Sequence, residues 1–309
     1  MKITILGAGA MGALFGGYLT RANEVYLVDV DAARVAEINA QGIRIREQDG
    51  TEAVYRPKAV TETAGLPRMD LMVVFVKAMY TVAALEANRA LIGPDTYLMT
   101  LQNGAGHEAK LLRFADAAHV IIGSTQHNSS IIGNGHVNHG GGGLTSIGLL
   151  DGNSAKLASI ADTLSRCGFA CGTSDEVKKQ IWTKLFLNTA ASALTAVLQV
   201  PLGFICDDPY ACGLMERLAQ EAVAVANAEG FATFDADEVI AGIKTVLEYA
   251  KGGYTAIYAD VKNGARSEVD TISGSVVDAA RTLGVPVPCH ETVVALIHAL
   301  EHKMHNHIS

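Results

Sequence analysis

The sequence predicts two domains of different class: an α/β domain over residues 1–174, built on a doubly wound parallel sheet, and an all-helical domain over residues 175–309. Three observations carry this expectation. Short apolar runs recur through the first half ("KITILGA", "EVYLVDV", "LMVVFVK", "TYLMTLQN", "HVIIGST" and "LTSIGLL"), separated by helical stretches. Each is too short for a helix and continuously apolar, which is how parallel strands covered on both faces read. After Asp175 the strand signal stops, and segments with readable helix ends take over. The chain of 309 residues, 49% of them hydrophobic, also has enough apolar material for two cores at roughly 150 residues per domain.

Composition narrows the function. A net charge of −8 with 18% charged residues argues against nucleic acid or an anionic membrane as partner and points to a small, mobile substrate. No run is expected to reach the roughly eighteen apolar residues that span a bilayer, and the chain enters a strand at once instead of a basic, then apolar, leader, so a cytoplasmic protein is expected. Five scattered cysteines (Cys167, Cys171, Cys206, Cys212 and Cys289) read as buried thiols, not as a disulfide framework. The pair in "RCGFACGTS" sits at a helix end and the following strand, with no second pair to complete a zinc site. No metal is expected, and the histidines of "IHALEHKMHNHIS" read as a frayed helix end.

The first strand, "KITIL", runs into "GAGAMG" (Gly7, Ala8, Gly9, Ala10, Met11, Gly12) and the small-residue helix "ALFGGYLT". Gly7 suits a tight turn, Gly9 a close approach to a pyrophosphate and Gly12 the packing of helix on strand, with the helix N-terminus facing the phosphate. At the end of the second strand Asp29 is placed to accept adenosine ribose hydroxyls and to repel a 2′-phosphate, so NAD(H) is preferred. Arg34, one turn into the next helix, keeps NADP(H) open, while Asp31 is available to cap that helix in place of Asp29. Further on, "GNGHVNHGGGGLTSIG", with Gly140 to Gly143, reads as a loop or hairpin.

In the second half, Asp208 is placed as N-cap with Pro209 at the first helical position, an apolar stripe at Leu214, Leu218, Ala222 and Val225, and Gly230 as the stop. Asp235 and Glu238 suggest a capping box before a stripe of Val239, Ile243, Val246 and Leu247. The stretch "EVKKQIWTKLFLNTAASALTAVLQVP" is a long helix, apolar around most of its circumference. Lys184, Asn188 and Ser192 fall on one face of it at i, i+4 and i+8. Buried amide and hydroxyl groups need partners, so this seam reads as the wall of a polar cleft, with a snorkelling lysine as the plainer reading. Glu268 is expected to open a helix whose buried stripe continues through Ile272, Val276, Ala279 and Leu283. A lysine acid and a carboxylate that orients it make a coherent pair.

Taken together, "GAGAMG", "VKA" with Lys77, "LQNGAGHE" with Asn103, "WTKLFLN" with Lys184 and Asn188, and "RSEVDTISG" with "GVPVP" resemble, in order and spacing, the ketopantoate reductase family over nearly the whole chain. The resemblance implies a Rossmann domain joined to a helical substrate and dimerisation domain, a homodimer, and reduction of a 2-oxo acid to its 2-hydroxy acid. It implies Lys184 as general acid, Glu268 as its partner at the substrate, Asn103 touching cofactor and substrate, and Lys77 on the cofactor side. Where the pantoate-forming members have a second asparagine this chain has Ser192, and where they have a serine it has Ala256; Thr271 and Ser273 also depart, while Asp260 is retained. With Asp29 replacing the usual basic contact, the chain looks closer to the NAD-dependent branch of the family that acts on other branched or aromatic 2-oxo acids, such as the D-mandelate dehydrogenases, while a 2-dehydropantoate 2-reductase acting on ketopantoate itself stays open. A 3-hydroxyacid dehydrogenase and a nucleotide-sensing regulator without turnover are the rival readings; Glu268 with "GVPVP" argues against the first, and Lys184 with Glu268 against the second.

Overall fold

The computed structural model describes residues 1–152 and 154–305, so His307 of the histidine-rich tail lies outside the described residues. The chain divides into two compact units, Met1–Gln102 with His107–Val177, and Asn103–Gly106 with Lys178–Ser309.

The first unit contains strands β1 (Lys2–Leu6), β2 (Glu24–Val28), β3 (Ile43–Arg46), β4 (Glu52–Tyr55), β5 (Lys58–Val60), β6 (Leu71–Val74), β7 (Tyr97–Thr100), β8 (Val120–Thr125), β9 (Asn128–Gly133), β10 (His136–Gly141), β11 (Leu144–Leu149) and β12 (Ala170–Thr173). Helices α1 (Ala10–Leu19), α2 (Ala32–Gln41), α3 (Thr81–Ala87), α4 (Glu108–Leu111) and α5 (Ala155–Arg166) connect them. Eight strands form the main sheet in the order β12-β11-β8-β7-β6-β1-β2-β5. All six apolar runs lie in it. The strand order reverses beside β1, which pairs in parallel with both β2 and β6, and such a reversal opens the crevice where α/β sheets take ligands. The sheet is mixed: β11 runs antiparallel to β8, with Thr145 opposite Thr125. A parallel sheet was the expectation, but β8 leads to β11 through the β9–β10 hairpin with no helical crossover between them, so β11 returns in the opposite sense. Phe15 from α1 stacks on Phe169 with ring centroids 3.9 Å apart, in a core shared with Ile3, Ile5, Leu27 and Ile121.

A second sheet, β4-β3-β10-β9, falls outside the sequence reading. The glycine-rich piece does form a hairpin, β9 with β10, turning at Gly135, whose φ is +64°. Cys167 ends α5 and Cys171 lies in β12, as expected, and the five cysteines are free thiols, but against the expectation of buried thiols only Cys167 is buried and the other four are half-buried.

The second unit is helical: α6 (Val177–Leu198), α7 (Leu202–Asp207), α8 (Pro209–Ala228), α9 (Ala236–Tyr249), α10 (Ala256–Lys262), α11 (Ser273–Leu283) and α12 (Pro288–His305). Asp208 caps α8 by accepting from the Tyr210 and Ala211 N–H groups at 3.0 and 2.8 Å, and Gly230 follows the helix end at φ +77°. Asp235 caps α9 through the Glu238 N–H at 2.9 Å. The buried face of α9 is Ile240, Ile243 and Leu247; Val246 turns outward, so the expected stripe is rotated by about one position. By length and composition alone α6 is apolar enough to cross a membrane, against the expectation that no segment is. Its hydrophobicity is that of a core helix, with Trp182, Leu185, Phe186, Ala190, Ala193 and Leu194 buried in the helical core.

Candidate active site

The glycine turn has the geometry of a phosphate cradle. Gly7 adopts φ +100°, and a Cβ there would meet the Val76 amide nitrogen at 2.9 Å. A Cβ on Gly12 would fall 1.8 Å from the Gly7 carbonyl oxygen, so only glycine lets α1 approach the turn this closely. Gly9, the N-cap of α1, has nothing within 4 Å of where a Cβ would be, and no side chain caps the helix. Open space above uncapped N–H groups is the arrangement that receives a dinucleotide pyrophosphate.

Asp29 is tied into this turn. Its Oδ2 accepts from the Ala8 N–H at 2.6 Å and from Arg34 Nη1 at 3.2 Å, and its Oδ1 accepts from the Asp31 N–H at 2.9 Å. The helix-capping role falls to Asp31, which accepts from the Arg34 N–H at 3.0 Å. A carboxylate offers roughly four acceptor positions, so three donors leave room on Oδ1 for one hydroxyl. Arg34 is held between two acids, with Nη2 3.4 Å from Asp31 Oδ2. Lys77 is half-buried and follows β6; Asn103 is exposed and follows β7, in a segment that turns at Gly104 (φ +104°) and Gly106 (φ +76°). Both therefore come just beyond the carboxyl ends of parallel strands.

In the second unit, Lys184, Asn188 and Ser192 lie along α6 as the spacing predicts, Lys184 and Asn188 half-buried and Ser192 buried. Burial pushes the Lys184 ammonium below the ordinary lysine pKa. The start of α10 comes up against the same helix: the Thr255 hydroxyl lies 2.8 Å from the Thr195 hydroxyl and 3.4 Å from the Ser192 carbonyl oxygen, while accepting from the Tyr258 N–H at 3.2 Å. Ser192 and the Thr255–Ala256 pair are thus brought together. Asp260 is half-buried in α10.

Glu268 is placed differently from expectation. It sits in a turn five residues ahead of Ser273, where α11 begins, and Leu283 at the far end of that helix is exposed. Glu268 is therefore held by turn contacts, not by the first turn of a helix. Its carbonyl accepts from the Thr271 and Ile272 N–H groups, both at 3.1 Å. The Ser273 hydroxyl lies 3.3 Å from that of Thr189, the residue after Asn188, which joins the end of this turn to α6.

Two polar networks around these residues escaped sequence reasoning. His290, fully buried, holds Thr189 Oγ1 at 2.8 Å and Glu221 Oε2 at 2.8 Å. Glu301 and His298, from the histidine-rich tail, hold the turn of Glu268. The only local signal was a buried-phase glutamate and histidine inside an apolar helix pattern, a signal shared by many solvated side chains.

A glycine turn braced by a strand-end acid in one unit and a desolvated lysine in the other fit the equipment of a dinucleotide-dependent oxidoreductase. The family model described as ketopantoate reductase PanE/ApbA matches residues 3–152, and its C-terminal counterpart matches residues 176–301. The chain belongs to the ketopantoate reductase family, whose members reduce a 2-oxo acid. It is similar to the 2-dehydropantoate 2-reductase of Halobacterium salinarum, at 32% identity over 300 residues covering 96% of this chain and 98% of that one. Among solved structures it matches the ternary structure of D-mandelate dehydrogenase with NADH and anilino(oxo)acetate at TM-score 0.92 and 31% identity, covering 99% of this chain and 100% of that one. It also matches a PanE/ApbA family ketopantoate reductase from Ralstonia eutropha at TM-score 0.90 and 30% identity, again over 99% and 100% of the two chains. The protein is an NAD(P)-dependent reductase of a 2-oxo acid, which sets aside the 3-hydroxyacid and sensor readings.

Proposed function

We propose that the protein reduces an apolar branched or aryl 2-oxo acid to its 2-hydroxy acid and prefers NADH to NADPH, with the first unit taking the dinucleotide and the second the substrate. The observation that carries the substrate reading is the commitment of Thr255. Its hydroxyl is taken up by Thr195, the Ser192 carbonyl and the cap of α10, so it does not stand in for the serine that Ala256 replaces. A substrate hydroxyl at that end meets a methyl group and the short Ser192 side chain. Sites without polar partners lose discrimination for hydroxylated substrates. The likeness to a D-mandelate dehydrogenase supports the same reading.

The cofactor reading rests on Asp29 and Arg34. The acceptor position left on Asp29 suits a ribose hydroxyl, and a 2′-phosphate meets a carboxylate whose arginine is shared between two acids. Gly7, Ala8, Gly9, Ala10, Met11 and Gly12 form the cradle, with Lys77 and Asn103 beyond the strand ends. When bound, the reduced nicotinamide supplies the hydride to the ketone carbon. Lys184 neutralises the negative charge that develops on the carbonyl oxygen and donates the proton that completes the alcohol. A desolvated ammonium with a lowered pKa gives up that proton more readily than a solvated one. Asn103 and Asn188 fix the oxo acid by hydrogen bonds, Glu268 orients the ammonium and the substrate, and Asp260 stands at the substrate side.

Steady-state turnover of phenylglyoxylate and ketopantoate, each with NADH and with NADPH, tests this. The expected result is a higher kcat/KM with NADH, and phenylglyoxylate reduced at least as efficiently as ketopantoate. Strong selectivity for ketopantoate with NADPH would overturn both halves and leave a ketopantoate reductase in the narrow sense.

A further inference from the structure

We propose that Glu301, near the end of the last helix, is a positioning residue that sets the turn carrying Glu268. The inference rests on the reading of Glu268 as a site residue. Every neighbour of Glu268 in the chain is tied down. Ser267, 1% exposed, donates both its N–H (2.8 Å) and its hydroxyl (2.7 Å) to one oxygen, Glu301 Oε1. The Ser267 hydroxyl oxygen in turn accepts from the Val269 N–H at 3.3 Å. The other Glu301 oxygen lies 3.2 Å from His298 Nδ1, and His298 Nε2 lies 2.8 Å from Asp270 Oδ1. Arg266 closes on the far oxygen of Asp270 at 3.6 Å. A ring of Ser267, Glu301, His298 and Asp270 thus encloses the backbone of Glu268 and fixes it from both sides.

Apolar packing would suffice if the only task were to hold α12 against its neighbours. A carboxylate 5% exposed does something packing does not: it fixes direction, because two donors on one residue must converge on one oxygen. Burial alone would raise the Glu301 pKa, but the Ser267 and His298 hydrogen bonds outweigh it and hold the group below the ordinary glutamate value. The anion is the stronger acceptor. The partners are 34 residues apart in sequence, so the last helix, remote from the catalytic lysine in the chain, sets the conformation of the site's carboxylate.

The test is a double-mutant comparison in the full-length enzyme, reading kcat and KM with phenylglyoxylate, NADH affinity by fluorescence, and Tm. Glu301→Asp withdraws the acceptor by one methylene, and Glu301→Gln keeps it in place without the charge. Glu301→Asp is expected to lower kcat by about tenfold, with NADH affinity changed by less than about twofold and Glu301→Gln restoring most of the loss. In a Glu268→Ala background the same Glu301→Asp change should cost less than about twofold more, since there is no carboxylate left to position. Ser267→Ala, which removes one of the two ties and leaves the backbone one, should show the same non-additivity and serves where Glu301→Asp fails to fold. Equal losses in the presence and absence of Glu268 would overturn the proposal and leave Glu301 with a purely structural task. Wild-type turnover in Glu268→Ala itself would instead overturn the reading of Glu268 on which the inference rests.

Discussion

The two sets of candidate residues, one in each unit, are built on different scales. In the first unit, the cradle and its acid lie within Gly7 to Arg34, and the bond that joins them, Ala8 N–H to Asp29, spans 21 residues. In the second, the turn of Glu268 is held from 34 residues away and Thr189 from 101. The proposed cofactor end is a short, nearly local device built from glycine conformation and one strand-end acid. The proposed substrate end is assembled by tertiary packing of α6, α8, α10, α11 and α12 around a seam of polar groups. Changes at the first should alter which dinucleotide is used, and changes at the second should alter rate and substrate choice.

The largest expected break of this contrast is Lys184→Ala, which should lower kcat by at least about a hundredfold, the scale for losing a general acid, while NADH still binds. The pH profile sharpens the same point. The proton donor must be protonated, so reduction should fall as pH rises through the folded pKa of Lys184. Burial lowers that pKa, so the basic limb of kcat/KM in the wild type should lie below the ordinary lysine value of 10.5. Near-normal turnover in a folded Lys184→Ala protein would remove the lysine from the mechanism, and a basic limb at or above the ordinary value would contradict its desolvation.

A smaller effect is expected at the local end. Asp29→Ala removes a ribose acceptor and a charge that opposes a 2′-phosphate, and it also frees Arg34 from one of its two acids. The ratio of kcat/KM with NADH to that with NADPH should fall by about tenfold, with little change in kcat at saturating NADH. A variant that keeps the wild-type ratio would mean that Asp29 only braces the Ala8 amide.

How much of this was legible beforehand follows the same division. Gly7, Gly9, Gly12 and Asp29 were readable because strand, turn, helix and next strand succeed one another in a fixed local order. The N-caps Asp31, Asp208 and Asp235 were readable for the same reason, since each acts on an N–H two or three residues ahead. The seam of Lys184, Asn188 and Ser192 followed from helix periodicity alone. Glu268 was singled out, but its setting was misjudged: an apolar stripe resembling a helix face began inside a turn, because Val269 and Ile272 are buried by the fold around that turn and not by helical phase. The second sheet was missed because β3 and β10 pair in parallel across some ninety residues, and alternation over four residues in "IRIR" is too short to stand out. His290, His298 and Glu301 acquire their roles only through partners that no local pattern names.

The claim at the centre of this account is that the substrate end has lost the groups that select a hydroxylated acid, and Ser192→Asn combined with Ala256→Ser tests it most directly. Thr255, the residue before Ala256, reaches the Ser192 carbonyl across α6 and the start of α10, and its hydroxyl is already engaged. The quantity to measure is the ratio of kcat/KM for ketopantoate to that for phenylglyoxylate with NADH, in the wild type and the double variant. The account predicts a wild-type ratio no greater than one and a rise of about tenfold or more in the double variant. A wild type already strongly selective for ketopantoate, or a ratio that the double change leaves where it was, would contradict it.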